Sequence, residues 1–174
     1  MWAAFVVSFA SIIALACCGD LRRRFPINFI LLGVFTLAEG LTMGIISAFY
    51  DTKIVVLAIG LTALICLALT AFAMQTKIDF TVCNGFAFIA LLVLMLMGLC
   101  MAFFPRNELL QVVYSGLGCL LFSFFLLIDT QMIVGGSRRS LQISPEEYIM
   151  AVITLYLDIL QIFLHILQLL NASK

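Results

Sequence analysis

Four ionisable residues lie inside long apolar stretches of this chain, where water is scarce. They are Glu39, Asp129, Asp158 and His165. A charged side chain in an apolar phase is costly, so such residues usually belong to an ion path, a proton relay or a buried pair. We therefore treat these four side chains as the candidates for function.

Asp129 and Asp158 offer the most specific chemistry of the four. If they lie on antiparallel helices joined by the hydrophilic segment 135–147, they reach a comparable depth, because each helical residue rises about 1.5 Å. Two carboxylates held together in a low dielectric share a proton. Such a pair senses pH, or binds a hard divalent cation such as calcium through its oxygens. The alternative is that each aspartate separately hydrogen-bonds to a neighbouring helix, and the sequence favours neither arrangement.

Further polar residues share helical faces with these two aspartates. The stripe that begins at Asp158 continues, at helical spacing, through Gln161, His165 and Gln168. A second stripe in the preceding apolar stretch consists of Gln111, Ser115, Gly118, Phe122 and Asp129. Such faces predict either the lining of an internal cavity or a helix–helix seam. Glu39, Gln161 and His165 are the candidate pore-lining residues, and the alternative for His165 is a hydrogen-bonded position in a seam.

The composition indicates which kind of molecule must position these residues. Of 174 residues, 65% are apolar and only 10% are charged, whereas an ordinary soluble domain is about a quarter charged. The chain is therefore an integral membrane protein, and a soluble enzyme with a large polar cleft is excluded. No nucleotide-binding loop, Ser–His–Asp set or zinc-protease motif occurs, so we expect neither an enzyme nor a cofactor. The net charge of zero gives no indication of a nucleic-acid partner.

The six cysteines are expected to be free thiols that pack as small hydrophobic side chains. All of them lie inside apolar stretches, and none shows the C-x-x-C spacing of a zinc or redox site. With a single histidine in the chain, the usual zinc ligand sets are also missing.

Charged residues divide the chain into six continuous apolar runs, each close to the roughly 20 residues that a membrane-crossing helix needs. Transmembrane β-strands are shorter and alternate polar with apolar residues, so these runs favour helices. We predict an all-α integral membrane protein, a bundle of six transmembrane helices in a single domain, 1–174. The expected helices are about 1–18, 27–50, 54–74, 80–104, 109–134 and 148–170.

Lysine and arginine are distributed unequally between the two sides of the membrane. The loops after the first, third and fifth runs carry Arg22, Arg23, Arg24, Lys77, Arg138 and Arg139. The opposite side carries Lys53, Arg106 and Lys174. By the positive-inside rule, the arginine-rich loops are cytosolic and both termini lie on the other face. An N-terminus outside without a signal peptide suggests that a helix is missing upstream.

Several motifs resemble those of a known family. Residues 143–149 read ISPEEYI and residues 155–159 read LYLDI, which resembles the C-terminal signature of the transmembrane Bax inhibitor motif family. Residues 128–132, IDTQM, followed by Gly135 and Gly136, resemble its lifeguard branch, which includes the glutamate-receptor-associated relatives. The resemblance extends along essentially the whole chain.

The resemblance implies a seven-helix protein of the endoplasmic reticulum or Golgi that acts as a calcium-leak channel, lowers stored calcium and suppresses apoptosis. The six predicted helices correspond to helices two to seven of that fold, without the N-terminal tail and first helix. The chain is therefore expected to be a fragment, a short isoform or a divergent copy. The implied partners are the lipid bilayer, calcium ions and protons, together with other membrane or apoptosis-regulating proteins.

The resemblance also implies roles for three residues. In bacterial relatives, two aspartates of the last two helices and one arginine form a pH-sensitive latch, and these positions correspond to Asp129, Asp158 and Arg22. With both aspartates ionised, Arg22 bridges them and holds the cytosolic mouth shut, whereas protonation weakens the bridge. The same two carboxyl groups are the candidate calcium ligands. The alternatives are a non-conducting regulator of cell-death signalling and an inactive truncated isoform.

Overall fold

The computed structural model describes residues 2–17, 25–103, 107–136, 139–144 and 147–172. These residues form six α-helices and one short 3₁₀-helix, and none of them lies in a strand, which confirms the predicted all-α class. The helices are α1 (Trp2–Cys17), α2 (Ile27–Ser47), α3 (Thr52–Gln75), the 3₁₀-helix (Thr81–Cys83), α4 (Asn84–Phe103), α5 (Glu108–Val134) and α6 (Tyr148–Ala172).

Among the described residues, five segments are long and apolar enough to cross a membrane. They are α2, α3, α5, α6 and the segment Thr81–Met101, which includes the 3₁₀-helix and most of α4. Large apolar side chains cover their outer surfaces; Phe86 is 73% exposed and Leu120 is 71% exposed. Such a surface is costly in water and favourable in lipid. The chain is therefore a multi-pass membrane protein. α1 is helical over 16 residues, fewer than the roughly 20 that a full crossing requires.

Local sequence accounts for both ends of α5, the helix that carries Asp129. At its start, the side chain of Asn107 accepts a hydrogen bond of 3.0 Å from the backbone N–H of Leu109, as an N-cap does. At its end, Gly135 has a φ of 63°, a backbone conformation that glycine adopts without the steric cost other residues incur. The helix length is therefore fixed by capping at both ends.

The helices group into two compact units. One contains Met1–Thr52 and Ile143–Thr154, and the other contains Lys53–Gln142 and Leu155–Lys174. In the first unit α1 packs against α2, and the buried side chain of Asn28 donates a hydrogen bond of 2.8 Å to the Tyr148 hydroxyl.

The second unit contains both candidate aspartates. Within it, α4 packs against α5, and the 3₁₀-helix contacts both of these helices. Asp129 lies on α5 and Asp158 lies on the part of α6 that belongs to this unit.

Candidate functional site

The structure brings the carboxyl groups of Asp129 and Asp158 together. Both residues are buried, with 7% of each exposed. The two carboxyl groups interact electrostatically and through a side-chain hydrogen bond. Because a carboxylate has no proton to donate, a hydrogen bond between two carboxyl groups requires a proton on one of them. Of the two arrangements that the sequence left open, the structure therefore has the paired one.

One oxygen of this pair has no hydrogen-bond partner among the residues that the structure describes. Asp158 Oδ2 is fully buried and is not hydrogen-bonded to any described residue. A buried acceptor in this condition costs about 1–3 kcal/mol relative to a satisfied one. The atom is therefore available to a proton, a water molecule or a cation that enters the site.

A thiol of α3, Cys66, contributes to the surroundings of the pair. Cys66, on α3, interacts electrostatically with both Asp158 and Cys119, and Cys119 is on α5. Both thiols are half-buried and free, in agreement with the expectation from the sequence for these two cysteines. Cys83 and Cys100 are also free. The carboxyl pair is thus placed among side chains from three helices, α3, α5 and α6.

The pair offers few ligands to a metal ion. Among the described residues, no group of three or more His, Cys, Asp or Glu side chains could hold one. Calcium takes six to eight oxygen ligands in proteins, so two carboxyl groups would have to be supplemented by water or backbone carbonyl oxygens.

His165, one of the candidate pore-lining residues, is enclosed by side chains of α5. It is 5% exposed, and its ring stacks on Phe122 with centroids 5.6 Å apart and meets the edge of Tyr114 at 5.5 Å. A Cβ atom at Gly118 would lie 2.3 Å from His165 Cε1, so only glycine leaves room for the imidazole. Its Nδ1 atom is buried and has no hydrogen-bond partner in the described part of the chain.

The other sequence-predicted residues lie in different places. Gln168 accepts a hydrogen bond of 3.3 Å from the Ser115 hydroxyl, which links α6 to α5. Gln161 is half-buried on α6, and Glu39 is half-buried on α2, in the first unit. Arg22 lies outside the described residues. The seam between α5 and α6 therefore contains Asp158, His165 and Gln168, in the order of the predicted stripe.

A second polar cluster, which the sequence did not reveal, joins the segment after α3 to the segment after α5. Gln131 is fully buried on α5, two residues beyond Asp129. Its Oε1 atom accepts a hydrogen bond of 2.9 Å from the Phe80 N–H, and its Nε2 atom donates one of 3.1 Å to the Ile78 carbonyl. One side chain thus satisfies two backbone groups of residues 78–80.

Arg139 caps the C-terminus of α3. Its guanidinium donates to the carbonyl oxygens of Ala73 at 3.3 Å and Thr76 at 2.9 Å, and also to that of Ile78. The last carbonyl groups of a helix have no partner within the helix, and a positive charge there is favourable for the helix dipole. From the sequence alone, Arg139 is expected only to contribute to membrane topology.

Asp79 connects the same two segments through its carboxylate. It accepts hydrogen bonds from the N–H and the hydroxyl of Thr81, at 3.1 and 2.6 Å, and from those of Ser140, at 2.8 and 2.7 Å. These hydrogen bonds, first from the Thr81 and then from the Ser140 hydroxyl, lower the pKa of Asp79 to about 2. We call the set of Asp79, Thr81, Gln131, Arg139 and Ser140 the loop clamp.

The whole chain, residues 1–174, matches the family Bax1-I, described as "Inhibitor of apoptosis-promoting Bax1". The chain belongs to the Bax1-I family. This confirms the resemblance that the motifs indicate.

Relatives within this family are similar over most of the chain. The chain is 41% identical to human "Protein lifeguard 3" over 173 residues, which is 98% of this chain and 54% of that protein. The mouse protein of the same name is 40% identical over 174 residues, 98% of this chain and 55% of that protein. The "Golgi anti-apoptotic protein" of Vaccinia virus (strain Lister) is 42% identical over 153 residues, 88% of this chain and 62% of the viral protein. The chain thus spans about half the length of the lifeguard proteins it matches.

In this Bax1-I family member, two of the motifs that indicated the family contribute residues to the polar clusters. The IDTQM segment carries Asp129 of the carboxyl pair and Gln131 of the loop clamp, and LYLDI carries Asp158. The local pattern Asp79-x-Thr81 is typical of a side-chain-capped turn and could have drawn attention to Asp79. No local signal points to Ser140, since its partner Asp79 lies 61 residues earlier.

Proposed function

We propose that this protein is an anti-apoptotic, pH-sensitive calcium-leak channel of an intracellular membrane, gated by Asp129 and Asp158. The observation that carries the proposal is the pair of buried carboxyl groups, hydrogen-bonded to each other on two apolar helices. The description of the matched family supports the anti-apoptotic part. The name of the viral relative supports the same part and favours the Golgi, with the endoplasmic reticulum as the other candidate membrane.

The gate works through the number of protons on the pair. With both carboxylates ionised, their repulsion needs a positive charge nearby, and Arg22 would supply it and bridge them in the closed state. A proton on one carboxyl removes that need, so Arg22 is released and the two side chains bond to each other. The equilibrium then shifts toward the arrangement that conducts.

Calcium is the proposed ion because of the oxygen chemistry at the pair. When the pair shares a single proton, one of its two carboxyl groups stays ionised, and an ionised carboxylate is a hard ligand that suits a hard divalent cation. Asp158 Oδ2, which has no partner among the described residues, is a ready acceptor for it. The few protein ligands would favour departure of the ion over retention, as permeation requires. Gln161, His165 and Glu39 are the proposed lining of the rest of the path.

Calcium flux from reconstituted vesicles, measured at several pH values with a trapped indicator, tests the gate. We expect Asp129→Asn and Asp158→Asn each to abolish the pH dependence of flux, because an amide does not titrate in this range. Glu108→Gln is the matched control, since this acidic residue is exposed in the first turn of α5 and should leave the profile unchanged. Unchanged flux and pH dependence in both aspartate variants would refute the proposal.

A second candidate function is a non-conducting regulator that acts on other membrane proteins in cell-death signalling. The packing of His165 between Tyr114 and Phe122, together with the Ser115–Gln168 hydrogen bond, favours it, because these contacts make the polar stripe a closed seam. Purified protein that conducts no calcium in vesicles, yet protects cells from death stimuli, would support this function over the first.

A further inference from the structure

Ser140 occupies an unusual position in the loop clamp, because it is both exposed and engaged by a charged partner. Its hydroxyl donates to Asp79 Oδ2 at 2.7 Å, and its backbone N–H donates to the same oxygen at 2.8 Å. The neighbouring Leu141 N–H donates to the Thr81 hydroxyl at 3.2 Å. The segment after α5 is therefore held to the segment after α3 by three hydrogen bonds at Ser140 and Leu141.

The residues before Ser140 give it the pattern of a substrate for a protein kinase. Arg138 and Arg139 precede it directly in the sequence, and it lies between α5 and α6, outside any helix. Kinases select substrates partly by charge complementarity, and an acidic substrate cleft binds arginines next to the target serine. We propose that Ser140 is a phosphorylation site and that a phosphate on its hydroxyl opens the loop clamp.

The chemistry of the modification removes the bond that the hydroxyl makes. A kinase transfers the γ-phosphoryl group of ATP to Ser140 Oγ, ADP leaves, and the hydroxyl proton passes to the kinase's base and then to water. Oγ then has no proton to donate to Asp79. The phosphate adds nearly two negative charges beside a carboxylate that is ionised at cytosolic pH, so attraction becomes repulsion.

The phosphate also competes for Arg139. This guanidinium is engaged by the neutral carbonyl oxygens of Ala73, Thr76 and Ile78. Phosphate oxygens are stronger acceptors than neutral carbonyls, and arginine binds them through two parallel hydrogen bonds. If Arg139 turns to the phosphate, α3 loses its C-terminal cap. Repulsion from Asp79 and capture of Arg139 therefore act in the same direction.

The proposal requires the loop to be on the cytosolic side, as the count of lysine and arginine predicts, because ATP and protein kinases are there. It does not require the protein to conduct ions. If it does conduct, Gln131 supplies a route to the gate, because this residue joins residues 78–80 to α5 two positions beyond Asp129. Opening the clamp would free that end of α5.

The site is tested by mass spectrometry of the full chain purified from eukaryotic cells treated with phosphatase inhibitors. We expect a phosphorylated peptide whose phosphate is assigned to Ser140 and is missing from the Ser140→Ala variant. Absence of phosphate at Ser140 under these conditions would overturn the proposal.

Opening is tested separately, by hydrogen exchange on protein with phosphoserine incorporated at position 140 during synthesis. The amides of Phe80, Thr81, Ser140 and Leu141 should exchange about tenfold faster or more, the change expected when a charge-assisted hydrogen bond is lost. Ser140→Ala is the control and should change less, because its N–H still bonds to Asp79. Unchanged exchange in the phosphoserine protein would overturn the proposed opening, whether or not the protein conducts calcium.

Discussion

The carboxyl pair and the loop clamp are both built around aspartate, and they treat it in opposite ways. In the pair, two buried carboxyl groups face each other, and Asp158 Oδ2 has no hydrogen-bond partner in the described part of the chain. In the clamp, both oxygens of Asp79 accept two hydrogen bonds each. A carboxyl group with one unsatisfied oxygen can change its proton or bind a cation, whereas a carboxylate whose oxygens are all hydrogen-bonded keeps a fixed charge. The carboxyl pair is therefore suited to a change of protonation, whereas Asp79 is suited to keeping two loop segments together.

The largest effect on stability should come from the clamp. Gln131→Leu removes the side-chain amide of a fully buried residue. The Phe80 N–H loses its acceptor, and the Ile78 carbonyl loses one of its donors. We expect a loss of about 2–4 kcal/mol in the free energy of unfolding. The Phe80 N–H loses its partner, which costs about 1–3 kcal/mol, and loss of the bond to the Ile78 carbonyl, which keeps its bond from Arg139, costs about 1 kcal/mol more. Unfolding in mixed micelles titrated with denaturing detergent measures it.

Gln75→Leu is the control for that experiment, because Gln75 is exposed at the end of α3. It should leave the free energy of unfolding nearly unchanged. If Gln131→Leu were equally harmless, the clamp would not hold the two segments together, and the contrast with the carboxyl pair would fail.

The seam between α5 and α6 beside the carboxyl pair depends on close packing more than on hydrogen bonds. Two glycines of α5 allow this packing to be tested. Gly118→Ala places a Cβ atom 2.3 Å from His165 Cε1, whereas a Cβ atom at Gly116 meets nothing within 4 Å. We expect Gly118→Ala to lower the free energy of unfolding by about 1–3 kcal/mol, as overpacking does. Gly116→Ala should be neutral or stabilising, because alanine favours helix over glycine. Equal effects of the two substitutions would contradict the packing of His165.

The smallest expected effect is that of pH on the stability of the loop clamp. Hydrogen bonding lowers the pKa of Asp79 from 3.8 to about 2. A lowered pKa gives stability that is present above the unfolded value and is lost as pH falls through the folded value. Hydrogen exchange at the Thr81 and Ser140 amides, corrected for intrinsic rates, should therefore show constant protection between about pH 5 and 8. Protection that falls with acid within this range would contradict the lowered pKa of Asp79.

Much of the fold can be predicted from the sequence, because long apolar runs bounded by charged residues are typical of membrane helices. The run that begins at Ile27 and the run that follows Asn107 become α2 and α5. Helical spacing also placed Asp158, His165 and Gln168 on one face, and that face meets Ser115, Gly118 and Phe122 of α5. Residues at a spacing of 3.6 lie on one face of any α-helix, so such faces can be predicted from the sequence.

The loop clamp could not be predicted in the same way. The bonds that Gln131, Arg139 and Ser140 make across the clamp join residues 51 to 66 positions apart, and the loop segments after α3 and α5 lack the periodicity that identifies a helical face. Each of the clamp's side chains is also common in surface loops. The enclosure of His165 is a related case, since the polar stripe predicts a seam but not that aromatic rings of α5 surround the imidazole.

A double-mutant cycle on the carboxyl pair measures whether Asp129 and Asp158 gate calcium flux as one unit. The ratio of calcium flux at acidic to flux at alkaline pH is measured for the unaltered protein, Asp129→Asn, Asp158→Asn and the double variant in reconstituted vesicles. If the two carboxyl groups act as one unit, each single substitution abolishes the pH dependence and the double variant adds nothing further. Independent effects that multiply in the double variant, or a pH dependence that survives both substitutions, would contradict the account.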